Sequence, residues 1–545
     1  MKFGPTPLDE AEGAVLAHSV RLGKLSLKKG RRLSAEDVAA LRESGTNQVI
    51  AARLEAGDVH EDEAAARIAT AVSGPNLSPS AAFTGRVSLF AERSGVCVLD
   101  TRRIDRLNLT DETVTLATLP AYASVEPKQM VATIKVIPFA APATAVEACE
   151  GIARENGPLI RVAAYAVLRA GLIQTRLPGM KESVLDKTVE ATRERLVAIG
   201  SALVAETRCA HKEEAVAAAV DGLRAKGCNL ILIAGASAIT DRRDVLPGGI
   251  ERAGGTVEHF GMPVDPGNLL LLAHLGETPV LGLPGCARSP KLNGFDWVLQ
   301  RLAAGLHVTR SDIMRMGVGG LLTEIPSRPL PRAQATQPPA QTAPRAPQVA
   351  GIVLAAGQSR RMGVMNKLLA EIDGAAMVVR TVDAVLASQA GPVIVVTGHE
   401  REEVAAALAG RSVTFVHNPD YAAGLSASMK AGLAALPDKI DAALVCLGDM
   451  PRVTPGTIDR LIAAYNPVEG RAICVPTVHG KRGNPVLFDR RFFPEMRDVE
   501  GDVGARHLIG AYGDQLCEVE MADDGPLIDV DTPEALSRLT AAPAG

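Results

Sequence analysis

Residues 353–367 read VLAAGQSRRMGVMNK, and this stretch decides how the C-terminal part of the chain is interpreted. The apolar residues 351–356 predict a buried strand that breaks at Gly357 into a polar loop. The loop carries three cations, Arg360, Arg361 and Lys367. Glycines let backbone N–H groups approach a ligand closely and cations neutralise negative charge, so this loop can wrap a polyphosphate. The spacing is neither G-x-x-x-x-G-K-[ST] nor G-x-G-x-x-G, which excludes a P-loop and a dinucleotide fingerprint. A Gly/Ser/Arg loop after a strand also occurs without such a role.

Length and composition predict a folded protein of several domains. A chain of 545 residues is too long for one hydrophobic core, and its 47% hydrophobic and 22% charged residues are typical of globular proteins. The net charge of −4 gives no reason to expect a nucleic-acid or membrane-surface partner. Because only 3% of the residues are aromatic, base-stacking platforms are not expected either.

Cysteine usage and hydropathy predict a cytoplasmic protein. The eight cysteines include no C-x-x-C pair, so we interpret them as small buried hydrophobic residues rather than as a disulfide framework or a zinc site. The polar, acidic N-terminus is not typical of a signal peptide, and no run of 18 apolar residues predicts a transmembrane helix. A reducing cytoplasm fits these features.

Changes in composition divide the chain into four parts. Residues 324–349 are rich in Pro, Ala, Gln and Thr, which predicts an extended linker. Residues 1–150 alternate short β-rich runs with turns, whereas residues 151–323 alternate strands with helices and predict a parallel sheet. Residues 350–545 predict a doubly wound α/β domain, so the expected fold class is α/β. Ligands of such sheets bind beyond the carboxyl ends of the strands, where the polar loop falls.

Two acidic residues of the C-terminal part follow apolar runs. The segment DAALVCLGDMP, residues 441–451, predicts a strand that places Asp449 at its carboxyl end. That position suits a ligand of Mg²⁺, which needs hard oxygen donors, and it equally suits a turn or a helix cap. Asp531 follows a short apolar run before a helix start, and both it and Asp529 have the same two interpretations.

Six motifs occur in the order found in one enzyme family. The motifs LAAGQSRRMG, NPDYAAGLSASMKAGL, LGDMP, GKRGNPVLF, GDVGARHL and DVDTPE resemble those of molybdenum-cofactor cytidylyltransferases over residues 349–539. The resemblance implies transfer of CMP from CTP to the terminal phosphate of Mo-molybdopterin, with Mg²⁺ as cofactor and pyrophosphate as second product. Guanylyl-transferring relatives typically read L-A-G-G where this chain reads L-A-A-G. We expect the extra methyl group of Ala356 to crowd the space near the base, which favours CTP over GTP.

The same resemblance assigns roles to residues of the expected site. Attack on the α-phosphorus of a nucleoside triphosphate develops charge on phosphoryl oxygens, so positioned cations and a metal supply most of the catalysis. The expected catalytic residues are Arg361, Lys367 and Asp449, and the expected metal ligands are Asp449 and Asp531. The expected nucleotide-binding residues are Leu354, Ala355, Ala356, Gly357, Ser359, Arg360, Arg361 and Lys367. The expected acceptor-binding residues are Gly424, Ser426, Ser428 and Asn484, each of which could instead be part of a helix cap or a tight turn.

Two strand ends in the N-terminal part predict a second ligand pocket. The segments NLILIAGASAITDRRD and PVLGLPGCA each run into a glycine-containing loop, and two such loops can form an anion or pterin pocket. They resemble the molybdopterin-binding domain of molybdenum-insertion proteins. This resemblance implies pterin binding by Gly235, Ser237, Asp241, Asp244, Gly282, Pro284 and Gly285. The acidic D-x-S-A-M-D-G segment of those proteins has no counterpart after Val20, so pterin binding is better supported than molybdate insertion.

The leading interpretation is a fusion in which the linker raises the effective concentration of cofactor at the transferase domain. A recipient molybdoenzyme or its chaperone is the expected protein partner. The sequence leaves three alternatives, which are guanylyl transfer from GTP, nucleotidyl transfer to a sugar or isoprenoid-precursor phosphate, and non-catalytic carriage of the cofactor.

A basic cluster predicts a solvated turn, with contact to a phosphate as the alternative. It consists of Lys28, Lys29, Arg31 and Arg32.

Overall fold

The structure is a computed structural model. It describes residues 1–22, 25–264, 268–288, 291–321, 345–359, 366–499 and 505–541. Most of the expected linker and the two loop arginines Arg360 and Arg361 lie outside the described residues.

The first 53 residues form a small antiparallel sheet in the strand order β1-β5-β2, with a separate β3-β4 hairpin. Helix α1 begins at a capping box, in which the Ser34 hydroxyl accepts a hydrogen bond from the Asp37 backbone and the Asp37 carboxylate accepts one from Ser34. The elements are β1 (Lys2–Pro7), β2 (Val15–Leu16), β3 (Val20–Leu22), β4 (Leu25–Leu27), α1 (Ala35–Glu43) and β5 (Gln48–Arg53).

Three further small sheets and three helices follow. The sheets have the strand orders β10-β12-β8-β7, β11-β9-β14 and β13-β6, and helix α2 is buried in their common core. The expected boundary at residue 150 lies within α4, and β14 pairs antiparallel with β9, so the β-rich part extends to residue 164. The elements are β6 (Asp58–His60), α2 (Glu61–Val72), β7 (Leu77–Pro79), β8 (Arg86–Ala91), β9 (Gly95–Leu99), α3 (Thr101–Asn108), β10 (Val114–Thr118), β11 (Ser124–Val125), β12 (Met130–Val136), β13 (Ala140–Pro142), α4 (Ala143–Arg154) and β14 (Ile160–Ala164).

Residues 169–321 form a six-stranded sheet with helices on both faces, in the order β16-β15-β17-β20-β19-β18. The first three pairings are parallel and the last two are antiparallel, so the prediction of a parallel sheet was wrong for two of the five pairings. The elements are β15 (Arg169–Arg176), α5 (Glu182–Ala198), β16 (Ala202–Ala210), α6 (Glu213–Ala225), β17 (Leu230–Ala234), α7 (Val245–Arg252), β18 (Thr256–Met262), β19 (Asn268–Leu275), β20 (Thr278–Leu283), α8 (Gly294–Ala303) and α9 (Arg310–Met314).

The C-terminal domain is built on an eight-stranded sheet in the order β25-β24-β21-β26-β29-β27-β28, with β30 beside β27. Strands β25, β24, β21 and β26 are parallel, and β29 is antiparallel to both of its neighbours. Hydrophobic clusters cover both faces. The elements are β21 (Val349–Ala355), β22 (Glu371–Ile372), β23 (Ala375–Ala376), α10 (Met377–Leu386), β24 (Val393–Thr397), α11 (Arg401–Ala407), β25 (Thr414–His417), α12 (Leu425–Ala434), β26 (Ala442–Leu447), α13 (Pro455–Ala464), β27 (Ile473–Val478), β28 (Lys481–Arg482), β29 (Val486–Asp489), α14 (Phe493–Asp498), α15 (Arg506–Ala511), β30 (Leu516–Glu520) and α16 (Pro533–Ala541).

The end of the linker and the C-terminal domain both contact the β-rich part. The backbone N–H of Ala346 donates a hydrogen bond to the Lys128 carbonyl at 2.8 Å. Phe83 packs against the core of the C-terminal domain, with the Arg471 guanidinium 5.7 Å from its ring centre. The parts of the chain are thus joined by side-chain packing as well as by the linker. The sheets with helices on both faces confirm the α/β fold class. Within the described ranges, no helix has the length and apolar character needed to span a membrane.

Candidate active site

Strand β21 leads directly into the expected phosphate loop. Each of its residues is buried, and the backbone N–H of Gly448 donates a hydrogen bond to the Leu354 carbonyl at 3.0 Å, which ties the end of β21 to the end of β26. Ala356 is 4% exposed, and a Cβ atom placed on Gly398 would lie 2.8 Å from the Ala356 methyl. Gly357 is exposed, so the loop leaves the sheet at the predicted position.

The two described ends of the loop are joined through Ser359. Its hydroxyl accepts a hydrogen bond from the backbone N–H of Lys367 at 3.1 Å, and its φ angle is +50°. The Asn366 amide oxygen accepts a hydrogen bond from the Leu368 backbone at 3.0 Å and so starts the turn that carries Lys367 inward. The expected contributions of Arg360 and Arg361 fall outside the described residues.

Lys367 lies between two carboxylates. Its Nζ atom is 2.5 Å from Asp449 Oδ2 and 2.6 Å from Asp531 Oδ1, so the three residues that the sequence placed on separate segments meet at one point. Burial opposes the charge of the ammonium group, but the two carboxylates outweigh burial and raise the pKa of Lys367. The side chains of Lys367 and Asp449 are only 15% and 13% exposed. The cluster therefore presents a cation and two hard oxygen donors at the carboxyl ends of β21 and β26.

The second oxygen of the Asp449 carboxylate is a hydrogen-bond acceptor that the described residues leave unsatisfied. Asp449 Oδ1 is buried and accepts no hydrogen bond from the described residues. An unpaired buried carboxylate oxygen is costly unless a ligand or ion satisfies it. Mg²⁺ is typically held by one or two carboxylates together with substrate phosphates, so Asp449 and Asp531 fit it. In the described part of the chain, no three His, Cys, Asp or Glu side chains could hold a metal by themselves.

Two close backbone contacts bring the C-terminal segment to this site. A Cβ atom on Gly483 would lie 2.3 Å from the Pro526 carbonyl oxygen, and one on Gly525 would lie 2.3 Å from the Arg452 carbonyl oxygen. Only glycine allows these approaches. The segment then continues to Val530, whose N–H donates to the Asp449 carbonyl at 3.2 Å, and so to Asp531.

An apolar cavity of about 470 Å³ lies beside the carboxyl ends of β21 and β26. Its wall includes Leu354 at the end of β21 and Leu447 at the end of β26, and Arg482 and Asn484 supply polar groups. Of the expected acceptor residues, the structure places Asn484 in this wall. Gly424 precedes α12, and Ser426 and Ser428 are buried on α12, where the Ser428 hydroxyl accepts a hydrogen bond from the Asn418 amide at 3.0 Å.

A second cavity of about 430 Å³ lies in the N-terminal α/β part. Four of the expected pterin residues line it, namely Gly235, Ser237, Pro284 and Gly285. The other three are placed differently. Gly282 is buried within β20, Asp244 caps α7 by accepting a hydrogen bond from Val245, and Asp241 pairs with Arg243, whose hydrogen bonds lower the pKa of that carboxyl group.

Sequence reasoning missed three residues beside this second cavity. The Ser237 hydroxyl lies 3.0 Å from His211 Nε2, and His211 Nδ1 lies 2.9 Å from the Thr175 hydroxyl. Arg288 donates a hydrogen bond to the Gly235 carbonyl at 2.8 Å. Thr175 lies one residue before the end of β15, and His211 directly follows β16. Both could have been found from the rule that ligands bind at the carboxyl ends of parallel strands.

Comparison with protein families identifies the C-terminal domain. Residues 351–516 match the family described as the MobA-like NTP transferase domain. This stretch is a nucleotidyltransferase domain. Residues 5–53 match a domain of unknown function, DUF8806.

Several similar proteins cover about a third of this chain. The nicotine blue oxidoreductase of Paenarthrobacter nicotinovorans is 29% identical over 198 residues, which cover 35% of this chain and 97% of that protein. The molybdenum cofactor cytidylyltransferase of Escherichia coli (strain K12) is 28% identical over 184 residues, covering 34% and 91%. A solved nucleotidyl transferase from Methanothermobacter thermautotroptrophicus is 25% identical, covers 35% of this chain and 96% of that one, and gives a TM-score of 0.32.

Proposed function

We propose that this protein transfers CMP from CTP to the terminal phosphate of Mo-molybdopterin and releases pyrophosphate. The observation that carries the proposal is the meeting of Lys367, Asp449 and Asp531 at the strand ends beside the phosphate loop. A cation next to two carboxylates, one with a free buried oxygen, suits a reaction in which charge develops on phosphoryl oxygens.

The chain's own residues would do most of the positioning. Backbone N–H groups of the glycine loop after β21 would hold the triphosphate, together with Lys367 once its ammonium group turns from the carboxylates to the phosphates. Asp449 and Asp531 would hold Mg²⁺, which when bound neutralises phosphate charge. Arg360 and Arg361 complete the proposed nucleotide site.

The apolar cavity supports an acceptor with a planar ring. Its wall is made mostly of aliphatic side chains, which can pack against the face of a planar pterin ring. Arg482 and Asn484 stand in the same wall and could meet the phosphate of the acceptor. The similarity to a protein named molybdenum cofactor cytidylyltransferase supports the same acceptor. The choice of CTP over GTP rests on Ala356.

We also propose that the N-terminal cavity binds the pterin before transfer. The residues that line it and carry this proposal are Gly235, Ser237, Pro284 and Gly285. Asp241 pairs with Arg243, and Asp244 accepts a hydrogen bond from the Val245 backbone. These two residues would therefore contribute only by fixing the conformation of their loop. The eight free cysteines suit a reducing cytoplasm, and a molybdoenzyme or its chaperone would receive the product.

Pyrophosphate release tests the function. We would incubate the full chain with Mg²⁺, the molybdenum cofactor and each of the four nucleoside triphosphates in turn. We expect release with CTP, lowered about 100-fold or more by Asp449→Asn, because loss of one preorganised charged group in such a site typically costs that much. Asp438→Asn, at an exposed carboxylate of the same domain, should leave the rate unchanged.

Each other outcome rejects part of the proposal. Release with GTP in place of CTP would reject the interpretation of Ala356. No release with any nucleotide, together with tight cofactor binding, would make the protein a carrier.

A further inference from the structure

A contact between the first 53 residues and the C-terminal domain reaches the wall of the apolar cavity. The guanidinium nitrogens of Arg31 lie 3.5 Å from the place that a Cβ atom on Gly480 would occupy. Gly480 forms the turn between β27 and β28, and the chain continues from this turn to Arg482 and Asn484 in the cavity wall. Arg31 therefore touches the hairpin that carries the polar part of the proposed acceptor site.

Arg31 is held rigidly on its own side of the contact. Its Nε atom donates to Asp37 Oδ2 at 2.8 Å and its Nη2 atom donates to Asp37 Oδ1 at 3.0 Å. A bidentate pair of this kind fixes the plane of the guanidinium group. Asp37 is 5% exposed and also closes the capping box of α1, so its position is fixed by the helix.

The hairpin is held on the other side by two carboxylates of β30. Glu520 accepts hydrogen bonds from the Thr477 hydroxyl at 2.7 Å and from the His479 backbone at 2.8 Å. Glu518 accepts one from Arg482 at 2.7 Å. The pKa of Arg31 is raised, first by its hydrogen bonds to Asp37 and further by the charges of Glu520 and Glu518. The charges of the two carboxylates that anchor the hairpin therefore favour the charged form of Arg31.

The unit that contains Arg31 is matched separately from the C-terminal domain. The domain of unknown function at residues 5–53 contains both Arg31 and Asp37.

We propose that residues 1–53 support the acceptor site of the C-terminal domain in cis, with Arg31 as the positioning residue that steadies the hairpin of residues 477–484. This proposal rests on the proposed function only in taking the apolar cavity as the acceptor site. Arg31 lies beside the hairpin that leads to the cavity wall, so its removal should weaken acceptor binding selectively. Part of the basic cluster thereby acquires a structural partner within the chain.

The test compares full-length variants in the pyrophosphate assay. For Arg31→Ala we expect the KM for the molybdenum cofactor to rise about tenfold, a typical size for coupling between two sites, with the KM for CTP within about twofold of wild type. Arg31→Lys keeps the charge toward Glu518 and Glu520 and should restore part of the affinity. The control is Arg42→Ala, because Arg42 pairs with the exposed Asp9 in the same unit.

Hydrogen exchange of the backbone amides gives a readout that needs no substrate. We expect residues 477–484 to exchange about tenfold faster in Arg31→Ala than in Arg42→Ala, whereas the amides of α1 show whether residues 1–53 remain folded. If α1 also exchanges fast, Arg31→Lys carries the test. Equal exchange and equal acceptor KM in wild type and both Arg31 variants would overturn the proposal. If wild type releases no pyrophosphate, the proposed function fails while the exchange experiment still decides the role of Arg31.

Discussion

At the scale of single residues, the lysine between two carboxylates is the feature on which both stability and catalysis depend. Replacing Lys367 with Met removes the cation and leaves Asp449 and Asp531 facing each other in a partly buried place. We expect a loss of about 1–3 kcal/mol in the free energy of unfolding, which is below the value for a fully buried pair because Asp531 is 38% exposed. Pyrophosphate release should fall about 100-fold or more. The exposed Lys439→Met, in the same domain, should change neither quantity.

The contact of Lys367 with its two carboxylates predicts that stability depends on pH. Because the folded protein raises the pKa of Lys367 above the ordinary value of 10.5, its stabilising effect is fully present below that pH. The effect is lost as the pH rises through the folded pKa. The difference in melting temperature between wild type and Lys367→Met should therefore be largest near neutral pH and shrink as the pH rises through the raised pKa of Lys367. If the difference in melting temperature instead grew at alkaline pH, the two carboxylates would not be raising the pKa of Lys367.

The positions of Lys367 and Asp449 could be predicted from the sequence because both follow apolar strands that end at the same sheet edge. The partners of Asp241 and Asp244 could not be predicted in this way. An aspartate that caps a helix and one that binds a ligand occupy the same kind of loop, and only the neighbouring Arg243 and Val245 show which role is filled. The hydroxyl and imidazole of Thr175 and His211 meet through strand pairing, which a single segment does not reveal.

At the scale of elements, Gly483 and Gly525 let backbone segments pack closely because neither residue has a side chain. Gly483 faces the Pro526 carbonyl so closely that a methyl group would force the two segments apart. We expect Gly483→Ala to cost about 1–3 kcal/mol in the free energy of unfolding, as overpacking typically does. Because the displaced segment leads to Asp531, the rate of pyrophosphate release should also fall. Both quantities are measurable by chemical denaturation and the pyrophosphate assay.

A matched glycine separates this effect from the loss of glycine as such. Gly456 lies in α13, where a Cβ atom would meet only the Thr454 hydroxyl at 3.7 Å. Gly456→Ala should therefore raise the free energy of unfolding by about 0.5–1 kcal/mol, since alanine favours a helix. If both variants behaved alike, the contact with Pro526 would have no role.

Strand direction is the part of the fold that the apolar runs did not reveal. The runs in residues 230–283 suit parallel and antiparallel strands equally. The loops do carry the information, because β19 and β20 are joined by Gly276 and Glu277 alone, and a crossover between parallel strands needs a dozen or more residues. In the C-terminal domain the strands β24, β21 and β26 alternate with helices, and there the predicted parallel arrangement was correct.

At the scale of the whole molecule, the Pro-rich composition predicted a tether, whereas docking depends on contacts between distant residues that no local pattern contains. Phe83 packs on the core of the C-terminal domain beneath Arg471, and Asp62 lies 3.9 Å from Arg460.

Replacing Phe83 with Lys removes apolar contact and sets a cation beside Arg471, so we expect docking to weaken by about 1–3 kcal/mol. Small-angle X-ray scattering of the full chain should then give a larger radius of gyration than wild type. Leu109→Lys, at a side chain 84% exposed in the same β-rich part, should not. An unchanged radius for Phe83→Lys would mean that the remaining contacts, including the one made by Arg31, hold the two parts together without it.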